Sequence, residues 1–158
     1  MENQIQIRPA TQGDIPFLLA FEQGVIAAER TFDETLKDDP VHYYDLKKLI
    51  SSEGSTLLVA ETDGRVIASG YARIQPAKPY LKHERYAYLG FMFVVPEWRG
   101  KGLNGKMIDA LRKWAGEKGV EEIRLEVFAD NAPAIRAYEK AGFRKNLVEM
   151  RLARKKEG

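Results

Sequence analysis

The run Phe91-Met92-Phe93-Val94-Val95-Pro96-Glu97-Trp98-Arg99-Gly100-Lys101-Gly102-Leu103-Asn104-Gly105-Lys106 constrains this chain more than any other. An apolar run gives way to a proline, then to closely spaced glycines, then to apolar residues at helical spacing. The stretch therefore reads as strand, tight turn and helix start. A helix start leaves its first backbone N–H groups without intrahelical partners and carries the positive end of the helix dipole. With Lys101 and Lys106 set among Gly100, Gly102 and Gly105, this is an anion site suited to a phosphate or pyrophosphate.

Two nucleotide motifs compete for the same residues. Gly100, Gly102 and Gly105 spell G-x-G-x-x-G, with Glu126 about twenty residues further on, as in an NAD(P)-binding module. In that fingerprint the glycines follow the strand directly, whereas Pro96 to Arg99 intervene here. Too little chain remains after Gly105 for the rest of a doubly wound sheet. Gly100 to Lys106 also reads G-x-x-x-x-G-K, but Met107 stands where a phosphate loop needs the Ser or Thr that holds magnesium.

Arg99-Gly100-Lys101-Gly102-Leu103-Asn104, preceded by Val94-Val95-Pro96, resembles the core signature of the GNAT superfamily of acyl-CoA-dependent N-acyltransferases: Arg or Gln, two residues, Gly, one residue, Gly or Ala. Asn104 departs from it at the sixth position. The stretch from Asn131 to Phe143, Asn-Ala-Pro-Ala-Ile-Arg-Ala-Tyr-Glu-Lys-Ala-Gly-Phe, is similar to the family's second signature. The two stand in order with a strand between them.

Length and composition fit that resemblance. A chain of 158 residues, 44% of them apolar, suits a single domain spanning 1–158 with a substantial core. Its 25 basic and 23 acidic residues nearly cancel, so the balance calls for neither nucleic acid nor a membrane surface. The basic tail, Arg151, Arg154, Lys155 and Lys156, reads as a solvated terminus. The absence of cysteine excludes disulfides, thiolate metal sites and a Cys nucleophile, and with two histidines no metal centre is expected. Met1-Glu2-Asn3-Gln4 opens without a basic segment and apolar run, so the expected location is the cytoplasm.

Taken in order, Ile5 and Ile7 alternate with polar residues in a short first strand. Thr11-Gln12-Gly13-Asp14 is a capping-box-like start to a helix running to about Arg30. Asp39-Pro40 is predicted to open a second helix, with Tyr43, Leu46, Leu49 and Ile50 buried. Asp63-Gly64 between two apolar runs predicts a hairpin. Tyr86 to Val95, apolar almost throughout, reads as a central strand buried on both faces. Leu103, Met107, Leu111 and Trp114 mark the inner side of the next helix, which stops near Lys118-Gly119. Ile123, Leu125 and Val127 alternate with polar residues in a further strand. Asp130 or Asn131 caps a last helix over Ala132 to Ala141, and Val148, Met150 and Leu152 predict a final strand. The expected fold is α/β (α+β), order βααβββαβαβ, with a mixed, mostly antiparallel sheet and helices on both faces.

The resemblance implies an N-acetyltransferase that moves an acetyl group from acetyl-CoA to a primary amine, on a small molecule or a protein N-terminus, by direct attack in a ternary complex. It places the pyrophosphate on Arg99, Gly100, Lys101, Gly102, Leu103, Asn104, Gly105 and Lys106. It pairs the pantetheine arm with backbone groups of Phe93, Val94 and Val95, and adds Asn131 as a contact. Tyr138 becomes the acid that protonates the departing thiolate, and Glu126 the base, directly or through water. Phe32, Glu34, His42 and Tyr43 become candidate substrate contacts. Each residue has a plainer alternative: Asn131 as helix cap, Tyr138 as core aromatic, Glu126 on a solvated strand face. A catalytically idle acyl-CoA-binding sensor also remains open, with Asn104 as its hint, as does a homodimer.

Overall fold

In the computed structural model residues 4–153 are described; Met1–Asn3 and the tail from Arg154, with Lys155 and Lys156, lie outside them. The chain runs β1 (Gln6–Pro9), α1 (Ile15–Glu29), α2 (Leu46–Ser51), β2 (Ser55–Thr62), β3 (Arg65–Pro76), β4 (Arg85–Val94), α3 (Leu103–Glu117), β5 (Ile123–Arg124) and α4 (Ala132–Lys140). The strands form one sheet in the order β1-β2-β3-β4-β5. Its first three pairings are antiparallel and the β4–β5 pairing is parallel.

Local chemistry accounts for most boundaries. Thr11 donates its backbone N–H to the Asp14 carboxylate at 2.7 Å, which winds the turn leading into α1. Asp14 is also gripped by Arg8 at 2.8 and 3.0 Å, and Arg8 reaches Glu61 at 2.6 Å, so β1, β2 and the start of α1 are tied together. Asp63 and Gly64 both have positive φ, 49° and 74°, as the two-residue β2–β3 turn requires.

Helices cover both faces of the sheet. Met92 and Leu111 crowd Gly70 on the α3 side, while the next residue of β4, Phe93, stacks on Phe21 of α1 with ring centroids 4.7 Å apart. A side chain at Gly24 would meet the Phe93 ring at 2.7 Å, so glycine there lets α1 sit close. Leu18, Val59, Ile67, Met107 and Leu111, all fully buried, fill the layers between. That burial supplies the main drive to fold, at roughly 1.5–3 kcal/mol for each large side chain.

Four expectations need correction. No helix begins at Pro40. The chain stays irregular to Asp45, whose side chain accepts from the Lys48 N–H at 3.1 Å and caps the short α2 instead. The reason lies in α1: the buried Glu22 carboxylate accepts the backbone N–H groups of Tyr43 and Tyr44, each at 2.9 Å, and holds that segment extended. The central strand β4 is not buried on both faces, because Tyr86 and Tyr88 are half-exposed. β5 is two residues long and does not reach Val127. Finally, residues 144–153 form no strand, and Leu147, Val148, Met150 and Leu152 are exposed. Their alternation of apolar and polar residues finds no partner in β5, which is too short to template one. The order over the described residues is therefore βααβββαβα.

Candidate active site

The site begins with an irregularity in β4. Phe91 has φ of 55°, an unusual value for a bulky residue. The β3–β4 register shifts there, with Ser69 opposite Phe93 but Tyr71 opposite Gly90. This is a β-bulge, which bends its strand. The fully buried Ser69 hydroxyl donates to the Phe91 carbonyl at 2.9 Å, so the displaced group is satisfied. On the other edge, β4 pairs with β5 only at Ala87 and Tyr88. Beyond Tyr88 the two strands part and leave an opening.

The anion cradle closes one end of that opening. Gly100 and Gly102 have φ of 74° and 79°, and a side chain on either would point into open space. Gly102 is the N-cap of α3 and no side chain caps the helix. The amides of Leu103, Asn104 and Gly105 therefore lie in the first turn without intrahelical acceptors. Lys101 packs over Trp98 at 5.0 Å and Arg99 over Phe93 at 5.5 Å, so both charges stand at the rim. These residues fit an anionic, phosphate-bearing donor: backbone donors, a positive helix end and nothing to block approach.

The expectation that backbone groups of Phe93 to Val95 are all free is not met. The Val95 N–H donates to Ile67 at 2.9 Å, and by strand alternation Phe93 turns the same way. Val94 faces the opening, but its carbonyl accepts from Arg99 Nε at 2.8 Å. Arg99 thus braces the strand end as well as contributing charge.

Beside the cradle stand the second-signature residues. Asn131 caps α4, its side-chain oxygen accepting the Ala134 N–H at 3.3 Å. Tyr138, mostly buried, meets Phe143 edge-on with ring centroids 5.9 Å apart. Burial pushes its phenol above the usual range, with the Asn104 side chain acting weakly in the opposite direction.

On the α1 face, Tyr71, Arg73, Gln75, Tyr86, Tyr88 and Glu126 line an open cavity of about 300 Å³. Burial raises the Tyr88 phenol well above its ordinary value, and the adjacent Glu126 carboxylate adds to the rise. Burial also raises Tyr71, so both hydroxyls stay protonated. Tyr44 stacks on Phe91 at 4.4 Å and meets Tyr71 edge-on at 5.9 Å, joining the segment before α2 to the bulge.

The four candidate substrate contacts divide. Phe32 stacks on Phe128 at 5.8 Å and closes a wall between the α1–α2 segment and the chain after β5. His42 is bound through Nδ1 to Glu22 at 2.8 Å with most of its ring exposed. Tyr43 has its phenol pushed up to about 12 by burial and then by Glu29, whose own carboxyl burial raises. Glu34 is exposed and lines no part of the cavity. Sequence reading missed Tyr71, Arg73, Gln75, Tyr86 and Tyr88, although polar and aromatic residues at every second position of β3 and β4 were visible.

A sheet opened beside a bulge, with an uncapped glycine cradle at one end, is the frame of a domain suited to an anionic, phosphate-bearing donor. The chain belongs to the acetyltransferase (GNAT) family, whose model matches residues 21–143. It is similar to the uncharacterized N-acetyltransferase YhfO of Bacillus subtilis (strain 168), 31% identical over 98 residues that cover 62% of this chain and 64% of that one. It is also similar to an aminoglycoside N(6')-acetyltransferase type 1 of Stenotrophomonas maltophilia, 25% identical over 67% of this chain and 69% of that one. The fold matches the crystal structure of a predicted acetyltransferase with acetyl-CoA from Clostridium acetobutylicum, with a TM-score of 0.73, 21% identity and coverage of 95% and 96%. Among the described residues no group of acids and histidines is arranged to hold a metal, and no helix is long and apolar enough to cross a membrane.

Proposed function

We propose that the protein acetylates a primary amine by direct attack on acetyl-CoA in a ternary complex. The opening between β4 and β5 carries this reading, because it puts the donor cradle and the polar cavity on one strand. Glu126 takes a proton from the acceptor ammonium, directly or through water, and passes it to solvent. The neutral nitrogen attacks the thioester carbonyl carbon, the C–S bond breaks, Tyr138 gives a proton to the sulfur, and the second proton that the nitrogen sheds on amide formation restores the phenol through solvent. Burial keeps the phenol protonated at neutral pH, so Tyr138 has a proton to give; transfer to a thiolate with pKa near 8–9 is uphill by itself and is drawn forward by C–S cleavage and return of a proton to the phenolate.

The test is a CoA-release assay over amino acids, polyamines, aminoglycosides and peptide N-termini, run alongside Glu126→Gln. Turnover of one acceptor class, with kcat/KM reduced at least tenfold in the variant and acetyl-CoA binding retained, supports the proposal. Binding of acetyl-CoA with no turnover of any amine would sink it in favour of a sensor.

A further inference from the structure

The charges lining the cavity bear on what enters it. Arg73 is its lone guanidinium and Glu126 its lone carboxylate. They make no ion pair, and among the described residues no carboxylate lies within 4.0 Å of Arg73. Arg124 on β5 is spent differently, stacked over Tyr86 at 4.0 Å and bonded to His83 at 2.8 Å. Arg73 has the Gln75 amide oxygen as its partner, at 2.8 Å from both Nε and Nη2 once the amide is turned to suit Tyr86 as well. A neutral partner fixes the guanidinium but leaves its charge uncompensated.

Register sets the spacing. Arg73 pairs with Tyr88 across β3–β4, and Tyr88 with Arg124 across β4–β5, with Glu126 two residues further on. Arg73 on β3 and Arg124 on β5 are thus two strand places apart, roughly 10 Å at the backbone, and Glu126 lies just past the end of β5, with long side chains on both to narrow the gap. Tyr88 stands between them with its hydroxyl protonated. Of the acids in the segment before α2, Asp33 is already bound by Arg151 at 3.2 Å and Asp39 by Arg30 at 2.9 Å, while Glu34 and Asp38 are exposed and line no part of the cavity.

From this geometry we infer that the acceptor is a compact amine bearing a carboxylate, of the amino-acid class, held with its ammonium toward Glu126 and its carboxylate on Arg73. The inference rests on the acyl-transfer reading of the same cavity. A volume of about 300 Å³ suits a molecule of that size, at the small end of ligand sites. A polycationic acceptor would have to seat a positive charge beside Arg73.

The test compares each of a set of amino acids with its own carboxamide and with the amine lacking the carboxyl group, by CoA release, in the wild type, Arg73→Gln and Arg73→Lys. The expected result is a kcat/KM preference of at least tenfold for the carboxylate-bearing member, a magnitude set by a charge-assisted hydrogen bond. Arg73→Gln should erase the preference by raising KM for the amino acid alone, and Arg73→Lys should restore part of it. Equal rates for acid and carboxamide, a preference for polyamines or aminoglycosides, or a uniform loss in Arg73→Gln would overturn the inference while leaving acetyl transfer standing. If no amine turns over, calorimetric binding of the amino acids to the enzyme–CoA complex decides. Arg73-dependent binding keeps the carboxylate site and sinks catalysis, whereas no binding sinks both.

Discussion

The glycine cradle that follows β4 and the polar cavity on β3 and β4, the proposed donor and acceptor sites, are built from different materials. The cradle consists mainly of backbone: glycines with positive φ and the first amides of α3, assembled from one continuous stretch of chain. The cavity consists of side chains from β3, β4 and the chain after β5, with the segment before α2 braced against it through Tyr44. Backbone donors are indifferent to side-chain identity provided the chain can take the conformation. A cavity of side chains changes its preference with every substitution.

Four variants would break or sharpen that contrast. The largest effect is expected from Gly102→Val, which places a β-branched residue at φ of 79° over the amides. Its Cβ meets no atom of the protein, so the fold should survive with a modest loss of melting temperature. Acetyl-CoA affinity should fall by about a hundredfold, ~2.7 kcal/mol. An unchanged thermal shift with acetyl-CoA would mean that the cradle lies elsewhere.

Tyr138→Phe comes next, keeping the ring and removing the proton. A kcat reduced roughly 10²-fold, with acetyl-CoA affinity and melting temperature nearly unchanged, is the general-acid outcome. Because burial raises the phenol above its ordinary value, the wild type should show no alkaline loss from this group below about pH 10. Turnover at the wild-type rate would make Tyr138 a packing residue.

On the acceptor side, Glu22→Gln weakens the hold on the segment before α2 without emptying the space. One Glu22 oxygen accepts both backbone amides and the other meets His42 Nδ1 while fully buried, so an amide in its place keeps all three only if His42 becomes the acceptor, and the charge-assisted bonds to the backbone become neutral ones. KM for the amine should rise roughly tenfold while acetyl-CoA binding holds. A matching loss in both would show that the two halves are mechanically one.

The smallest kinetic effect belongs to Asp14→Asn, in the Arg8 bridge remote from both halves. Arg8 holds the Asp14 carboxyl below its ordinary range. A depressed carboxyl stabilises the fold above its unfolded pKa near 4, and that contribution fades as the pH falls through the lower folded value. The variant should therefore lose about 1.5 to 3 kcal/mol at pH 7, most of that difference vanishing near pH 2, with kcat/KM unaltered. Chemical denaturation at the two pH values measures it, and a pH-independent difference would remove the ion pair as its cause.

The elements that sequence reading placed well were those whose signals lie within a few residues. Asp63-Gly64, Gly102 and the Asn131 cap each specify a local backbone shape, and each stands where expected. The helix at Pro40 failed because the competing partner, Glu22, lies about twenty residues away on α1. The final strand failed for a related reason: alternation at Val148, Met150 and Leu152 signals a willingness to pair, and pairing needs a neighbour of sufficient length.

What this sequence determines by itself is the family, the cradle and the succession of most elements, because all three are encoded in short-range patterns of glycine, proline and apolar spacing. The bulge at Phe91, the parting of β4 from β5 and the meeting of Arg73, Tyr88 and Glu126 were decided only in three dimensions. Each depends on cross-strand register, and register is set by the packing of whole faces against α1 and α3.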